Sequence, residues 1–378
     1  MQALPLSDVI TFAKGKTVKT SDAQSPGFDV PYLTIDAMEG GKPQFAPSSS
    51  VITKGNDVLV VADGSRSGLV FYGKQGAVAS TVLRVSTQEK KLRAKYLYYL
   101  SQHLKWNSPK YKKGSTVPHF DYAKAASDIV ELPKPPEQDK IVYILSVLDK
   151  SIQTTQKIIH ENERLKKAMM QELFSADMNW SIYPLSEVAT IQTGIAKNSN
   201  LRGDDVIEMP YLRVANVLDG RLDLSEIKHI KVRKADIDRY MLRKGDLLLT
   251  EGGDRDKLGR GFLWHGEIDN CLHQNHVFAV RPDKAKLNSM YLAYLAQSSY
   301  GKKYFLSVAS QTTNLASINS TKLKNFPVML PSLEKQREIS GILSAVDKKI
   351  AINKEFRAKQ LELKKGLMQD LLTGKVQV

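Results

Sequence analysis

Cys271, His273 and His276 lie close enough together to suggest metal ligation. On a strand, however, His276 would face away from the other two, and no fourth ligand accompanies them. No metal site is expected. Lys14-Gly15-Lys16-Thr17 has the tail of a phosphate-binding loop, but Ile10 stands where its first glycine belongs. Gly259-Arg260-Gly261 lacks the third glycine of a dinucleotide loop. Asp121, Glu131 and Lys134 are the residue types of a metal-dependent nuclease. Pro133 interrupts them, and Asn325 stands in the acid region of the second half, so structural or solvated roles are expected. No catalytic set is legible, and the chain reads as non-catalytic.

Binding chemistry is better represented. Asp63-Gly64-Ser65-Arg66 recurs as Gly252-Gly253-Asp254-Arg255. Glycines there let the backbone approach a ligand, and the arginines suit phosphate or guanine. A second pair of loops runs Lys110 to Thr116 and Ala309 to Asn314. In the first, Lys110, Lys112 and Lys113 suit phosphates, with Ser115 and Thr116 beside them. In the second, Gln311, Thr313 and Asn314 suit base edges. Ser65, Arg66, Asp254 and Arg255, with the basic residues Arg213, Lys257 and Arg260, complete the candidate DNA-binding set.

These loops sit in a chain that repeats itself. Pro5-Leu6-Ser7-Asp8-Val9 returns as Pro184-Leu185-Ser186-Glu187-Val188, and Pro31-Tyr32-Leu33 as Pro210-Tyr211-Leu212, at an offset of 179. Lys54-Gly55-Asn56-Asp57-Val58-Leu59 matches Arg243-Lys244-Gly245-Asp246-Leu247-Leu248. Pro133, Gln138, Leu145, Asp149 and Ile152 match Pro331, Gln336, Leu343, Asp347 and Ile350 at 198. Matches keep their order while the offset grows, so the second copy carries insertions, mainly before Arg243 and between Arg255 and Gln274.

Each copy begins with a mixed stretch. Strands are expected at Asp57–Ala62, Ala77–Val85, Asp246–Thr250 and His276–Arg281, and helices at Lys95–Leu104 and Ser289–Gln297. A proline-rich boundary follows, and a long helix should start near Pro136 and near Ser332. Ile141, Leu145, Leu148 and Ile152 in one helix, and Ile339, Leu343, Val346 and Ile350 in the other, step by fours and threes as a coiled-coil seam does. These eight are the candidate partner-binding residues. The expected class is α+β: two pseudo-repeated α/β recognition domains, 1–136 and 178–331, separated by two long antiparallel coiled-coil-like helices, 137–177 and 332–378.

The four segments carry net charges of +7, −1, +5 and +4 in chain order, within a total of +15. Both globular stretches are therefore basic, which favours a polyanionic partner. One cysteine excludes an internal disulfide, no apolar run approaches a membrane span, and the opening residues lack a signal-peptide layout. A cytoplasmic protein is expected.

Leu132–Ile152 (LPKPPEQDKIVYILSVLDKSI), its echo Leu330–Ile350 (LPSLEKQREISGILSAVDKKI) and the closing LKKGLMQDLLTGKV resemble the specificity (S) subunits of type I restriction–modification systems. The resemblance extends over essentially the whole chain, including the Pro-Leu-Ser-Asp/Glu-Val openings and the Lys-Gly-Asp-Leu-Leu stretch before a Gly-rich loop. It implies two target-recognition domains, each reading half of an interrupted double-stranded DNA site. It also implies methyltransferase subunits docked on the helices, two in number, with motor–nuclease restriction subunits joining them. S-adenosylmethionine, ATP and magnesium would belong to those partners and none to this chain. On this resemblance Ser65, Arg66, Asp254, Arg255, Ser115, Thr116, Thr313 and Asn314 match loop positions of the family. Three alternatives stay open at this point: the specificity part of a related restriction system, a basic coiled-coil scaffold, and a fused nuclease or methyltransferase.

Overall fold

The computed structural model describes residues 2–378 except 49, 176–178, 199, 254–257 and 312–315, with backbone alone at 2, 54, 253 and 311. The chain divides into two compact units. One comprises Met1–Gln156 with Glu355–Val378, the other Lys157–Lys354. Neither long helix forms a unit of its own.

In the first unit an antiparallel sheet is ordered Ile10–Lys14, Val82–Thr87, Val58–Val61, Val70–Tyr72. Val58, Leu59, Val60 and Val61 are all buried because both faces of this strand are covered. Val58 and Val60 point into the main core beside the helix Ala94–His103, while Leu59 points into a smaller core with Tyr32 and Leu33. Val30–Leu33 pairs in parallel with Gln75–Val78, so the Pro-Tyr-Leu motif is an interior strand. The expected single run Ala77–Val85 is two strands, Gln75–Val78 and Val82–Thr87, in different sheets. A turn closed by Val82 N to Ala79 O (2.9 Å) separates them, and burial on both sides keeps the composition apolar throughout.

The second unit repeats this plan. Ala189–Thr193, Val277–Pro282, Leu247–Thr250 and Gly261–Leu263 form the antiparallel sheet. Leu247 and Leu249 face the main core and Leu248 the smaller one. Val206–Leu212 pairs in parallel with Leu272–His273. Part of the extra length of this copy is the hairpin Val217–Leu218 with Arg221–Leu222. Gly15 and Gly194, 179 apart, serve the same crossing. A Cβ at Gly15 would collide with the carbonyl oxygens of Val78 and Ala79, and one at Gly194 with those of His273 and Gln274.

The long helices run Pro135–Leu173 and Leu333–Leu372, each entered from a strand that pairs with the start of its own repeat: Ile129–Leu132 with Gln2–Pro5, and Pro327–Met329 with Ile182–Pro184. One fully buried glutamine anchors each entry. Gln138 accepts from Arg93 N (2.8 Å) and donates to the carbonyls of Lys91 (2.8 Å) and Pro133 (2.9 Å). Gln336 accepts from Asn288 N (2.8 Å) and donates to the carbonyls of Lys286 (3.0 Å) and Pro331 (2.9 Å). Loss of either amide would strand buried backbone groups, at about 1–3 kcal/mol.

Within each unit the two helical segments run antiparallel. In the first, Gln360 donates to Ser151 Oγ (2.7 Å) and Lys364 pairs with Asp149 (2.7 Å). In the second, Lys166 pairs with Asp347 and Lys354 with Glu163, each at 2.7 Å. The expected partner-binding residues are placed differently from the expectation. Ile141 and Leu145 belong to the first unit's core and Ile339 and Leu343 to the second's. Ile350 is also buried, and Leu148, Ile152 and Val346 are half-buried. Side chains already desolvated at home add no apolar burial to a second protein, so Ile141 and Leu145 hold their helical segment to the first unit, and Ile339 and Leu343 theirs to the second.

Candidate nucleic-acid interface

In the first unit the strand Val58–Val61 runs into the Gly-rich loop, and residues distant in sequence meet it there. Phe120 N donates to Ala62 O (2.7 Å), Gly64 N to Pro118 O (2.8 Å), and Asp63 bridges His119. The hairpin of Lys112–Lys113 with His119–Phe120 therefore lies against the loop 63–68, and the two candidate loops make one surface. Gly68 has φ +84°, and a Cβ there would collide with the backbone carbonyl of Trp106, which fixes the loop's exit.

Arg66 is exposed and forks onto Glu39: Nη1 donates to Oε2 (2.8 Å) and Nη2 to Oε1. Lys112 donates to Ser65 O (3.2 Å). Lys113 lies 3.7 Å from Asp121 and over the Tyr122 ring. Ser65, Ser115 and Thr116 are exposed. Lys110 is occupied elsewhere: it contacts Tyr111 OH (2.8 Å) and Asp128 (3.3 Å), while that hydroxyl donates to Asp128 (2.6 Å). Its ammonium is 55% exposed and bridges a buried tyrosine to Asp128.

The same join recurs in the second unit. Gly252–Gly253 pairs with Ala316–Ser317, which pairs with Ser310–Gln311, so the Gly-rich loop and the second polar loop share one small sheet. Asp254, Arg255, Lys257, Thr313 and Asn314 lie outside the described residues, as does the Gln311 side chain. Arg260 is half-buried at the strand leaving the loop, where its carbonyl accepts from Thr250 N (3.0 Å). Arg213 is engaged away from the loop with Glu226 (3.0 Å). Arg213, with help from Lys228, holds that carboxyl below its ordinary value.

Two loop-base pairs escaped the sequence reading. His119 Nδ1 lies 2.6 Å from Asp63, which Lys14 also meets at 3.1 Å. Burial raises the Asp63 carboxyl, but hydrogen bonds from His119 and Lys14 more than offset this and leave it below the ordinary value. In the second unit His276 Nδ1 lies 2.5 Å from Glu251. The partners are 56 and 25 residues apart, so no local pattern announces them.

The metal-like trio has separate employment. His276 faces Glu251, His273 Nδ1 donates to Tyr240 O (3.0 Å), and Cys271 is buried with its thiol pushed up to about 12 by desolvation. Among the described residues no three His, Cys, Asp or Glu side chains are grouped to hold a metal ion, and no helix is long and apolar enough to cross a membrane.

Comparison with known proteins agrees with this architecture. The type I restriction modification DNA specificity domain matches residues 1–164 and again 178–363. The type I restriction enzyme MjaVIII specificity subunit of Methanocaldococcus jannaschii is 29% identical over 409 residues, spanning 100% of this chain and 93% of that protein. The EcoKI specificity subunit of Escherichia coli is 23% identical over 89% of this chain and 79% of its own. The crystal structure of a type I restriction–modification S subunit from M. genitalium shares the fold, with TM-score 0.64 at 16% identity over 98% of this chain and 96% of that one. Two matched copies of one domain, repeated in sequence and in strand order, lead to one conclusion: this chain belongs to the type I restriction–modification DNA specificity family and is a non-catalytic specificity subunit.

Proposed function

We propose that each unit reads one half of an interrupted, asymmetric double-stranded DNA site, and that partner subunits methylate or cleave the DNA so selected. The observation that carries this reading is the repeated joining of a Gly-rich loop to a second polar loop, by Asp63–His119 in one unit and Gly252–Ser317 in the other. Arg66, Lys112 and Lys113 would position phosphates, and Ser65, Ser115 and Thr116 would approach base edges. In the second unit Arg255, Lys257 and Arg260 would take the phosphate role, and Asp254, Gln311, Thr313 and Asn314 the reading role. Different residues at matching places imply different half-sites, hence the asymmetry.

The long helices offer the surface for partners. Tyr143, Val147, Phe356 and Leu363 are exposed on the helical segments of the first unit, and Ile158, Leu165, Ile342 and Ile352 on those of the second. Ile158 matches Phe356 and Leu165 matches Leu363 at the repeat offset of 198, so these two positions are apolar and exposed in both copies. Two methyltransferase subunits would dock there, one per repeat, with motor–nuclease subunits joining them. S-adenosylmethionine, ATP and magnesium would be held by those partners. The number of residues in each helix would fix the gap between half-sites.

Selection of duplexes from a random pool by the purified complex of this chain with its methyltransferase tests the reading. Two short sequence blocks separated by a constant gap are expected. A pool recovered without sequence preference would overturn it.

A further inference from the structure

The histidine–carboxylate pairs at the two loops are not a simple inheritance of the repeat. Asp63 bridges His119 in the first unit, and Gly252 and Ser317 occupy the corresponding paired positions in the second. Neither member of the pair is retained there. A histidine and a carboxylate nevertheless stand beside the same loop, built from Glu251 and His276. Their counterparts in the first unit are Ala62 and Thr81, because Ala62 N donates to Thr81 O (2.7 Å) where Glu251 N donates to His276 O (3.0 Å). The same pair has thus been assembled twice, from different positions, at the base of the candidate interface.

The chemistry of the pair suits recognition. An ionised carboxylate only accepts, so each Nδ1 carries the proton and each ring is held by that hydrogen bond. The free pole is Nε2. The His119 side chain is 48% exposed and that of His276 is 55% exposed. Among the described residues His119 Nε2 makes no hydrogen bond, and His276 Nε2 meets only the amide of the half-buried Asn275, at 3.3 Å. A neutral ring held this way accepts from the exocyclic amine of adenine or cytosine in the major groove, and an imidazolium donates to guanine N7 or O6. The imidazole also covers a carboxylate that would otherwise repel phosphate.

We propose that His119 and His276 are base-reading residues, one for each half-site, oriented by Asp63 and Glu251. The proposal rests on the bipartite reading above and assigns the atom that reads, Nε2.

The test is a methylation map from cells expressing the full chain with its methyltransferase, as wild type, His119→Asn and His276→Asn. An asparagine amide can replace Nδ1–H toward the carboxylate but does not reach the place of Nε2. Each variant is expected to lose about tenfold in selectivity at a position of one half-site, leaving the other half unchanged, with thermal unfolding close to wild type. In parallel, wild-type complex is treated with diethyl pyrocarbonate. Cognate duplex should protect His119 and His276 while the exposed His160 and His229 react as before. Should either variant fail to fold, this protection decides for its histidine. An interrupted wild-type motif whose base preferences both variants retain, or equal modification of both histidines with and without cognate duplex, overturns the histidine assignment alone. A wild-type chain that directs no interrupted motif overturns the bipartite reading itself.

Discussion

Lys166 Nζ lies 2.7 Å from Asp347 Oδ1 and 5.2 Å above the Tyr294 ring, and Tyr294 OH donates to the same carboxylate at 2.8 Å. The first unit builds the same group from Lys364, Asp149 and Tyr99, with Lys–Asp 2.7 Å, Lys–ring 5.5 Å and Tyr–Asp 2.8 Å. Each group ties three elements of its unit: the short domain helix, one long helix and the antiparallel segment of the other. Lys166 interrupts the apolar seam of its helix. A charged residue on such a seam fixes register at some cost in stability.

Asp347→Ala should therefore leave a lysine and a tyrosine hydroxyl without their partner. The groups are partly exposed, so a loss of about 2 kcal/mol is expected, short of the full penalty for a buried pair. Asp347→Asn keeps the tyrosine's acceptor and should lose about half as much. A double-mutant cycle of Lys166→Met with Asp347→Ala, read by urea unfolding, should show a coupling of about 1 kcal/mol. Additive losses would remove the register role.

The repeated Asp57 and Asp246 should differ in cost. Asp246 is 1% exposed and takes both arms of Arg281 at 2.8 and 2.7 Å. Asp57 accepts instead from Ser86 (2.6 Å) and Thr53 (3.1 Å), which are neutral. Asp246→Ala is expected to cost about 3 kcal/mol by removing the acceptor of a half-buried guanidinium and of Arg243 N, and Asp57→Ala about 1–2 kcal/mol. Equal denaturant midpoints for the two variants would contradict this.

His273 supplies a pH dependence. Desolvation lowers its pKa, and contacts with Tyr240, Gln192 and Asp246 do not make up the difference. The folded state therefore takes up a proton less readily than the unfolded chain, whose histidines titrate near about 6.5. The stability of the second unit should be full above that value and fall as pH drops below it, with a slope of at most about 1.4 kcal/mol per pH unit. Thermal unfolding between pH 8 and pH 5 checks the sign. His273→Gln should flatten the contribution, and a variant with the wild-type slope would dismiss His273 as its source.

Arg66 and Lys110 separate binding from support. Arg66→Ala should weaken DNA binding at every sequence and lower the salt slope by about one, with little change in stability. Lys110→Ala should cost stability as well, because its ammonium also ties Tyr111 to Asp128, and should lower the slope by less than Arg66→Ala does. Salt titrations of binding by the methyltransferase complex distinguish them.

Phe356→Asp with Leu363→Asp should weaken association with the methyltransferase by at least about tenfold, since exposed apolar residues are replaced by charges. Analytical ultracentrifugation of the mixed subunits measures this. Unimpaired association would move the docking surface elsewhere.

Much of the fold was legible because it is written locally or twice. The proline-bounded helices, the Pro-Tyr-Leu strands and the Lys-Gly-Asp turns each follow from periodicity or repetition. What escaped depends on contacts across the sequence. The spacing of Ile141 and Leu145 marks them as apolar seam positions but cannot tell a partner's surface from their own core. Lys110 reads like Lys112 and Lys113 until Asp128 is found beside it. His119 and Asp63 have no pattern in common, and only the meeting of two loops makes them a pair. The Ala77–Val85 run hid a change of sheet because both strands are buried.

The most direct test is a map of methylated adenines in DNA from cells that carry the methyltransferase with and without this chain. An interrupted, asymmetric motif that vanishes when the chain is omitted, and changes in one half only when one unit's loops are exchanged, is the predicted result. Methylation that persists unchanged without the chain would contradict its role in target recognition.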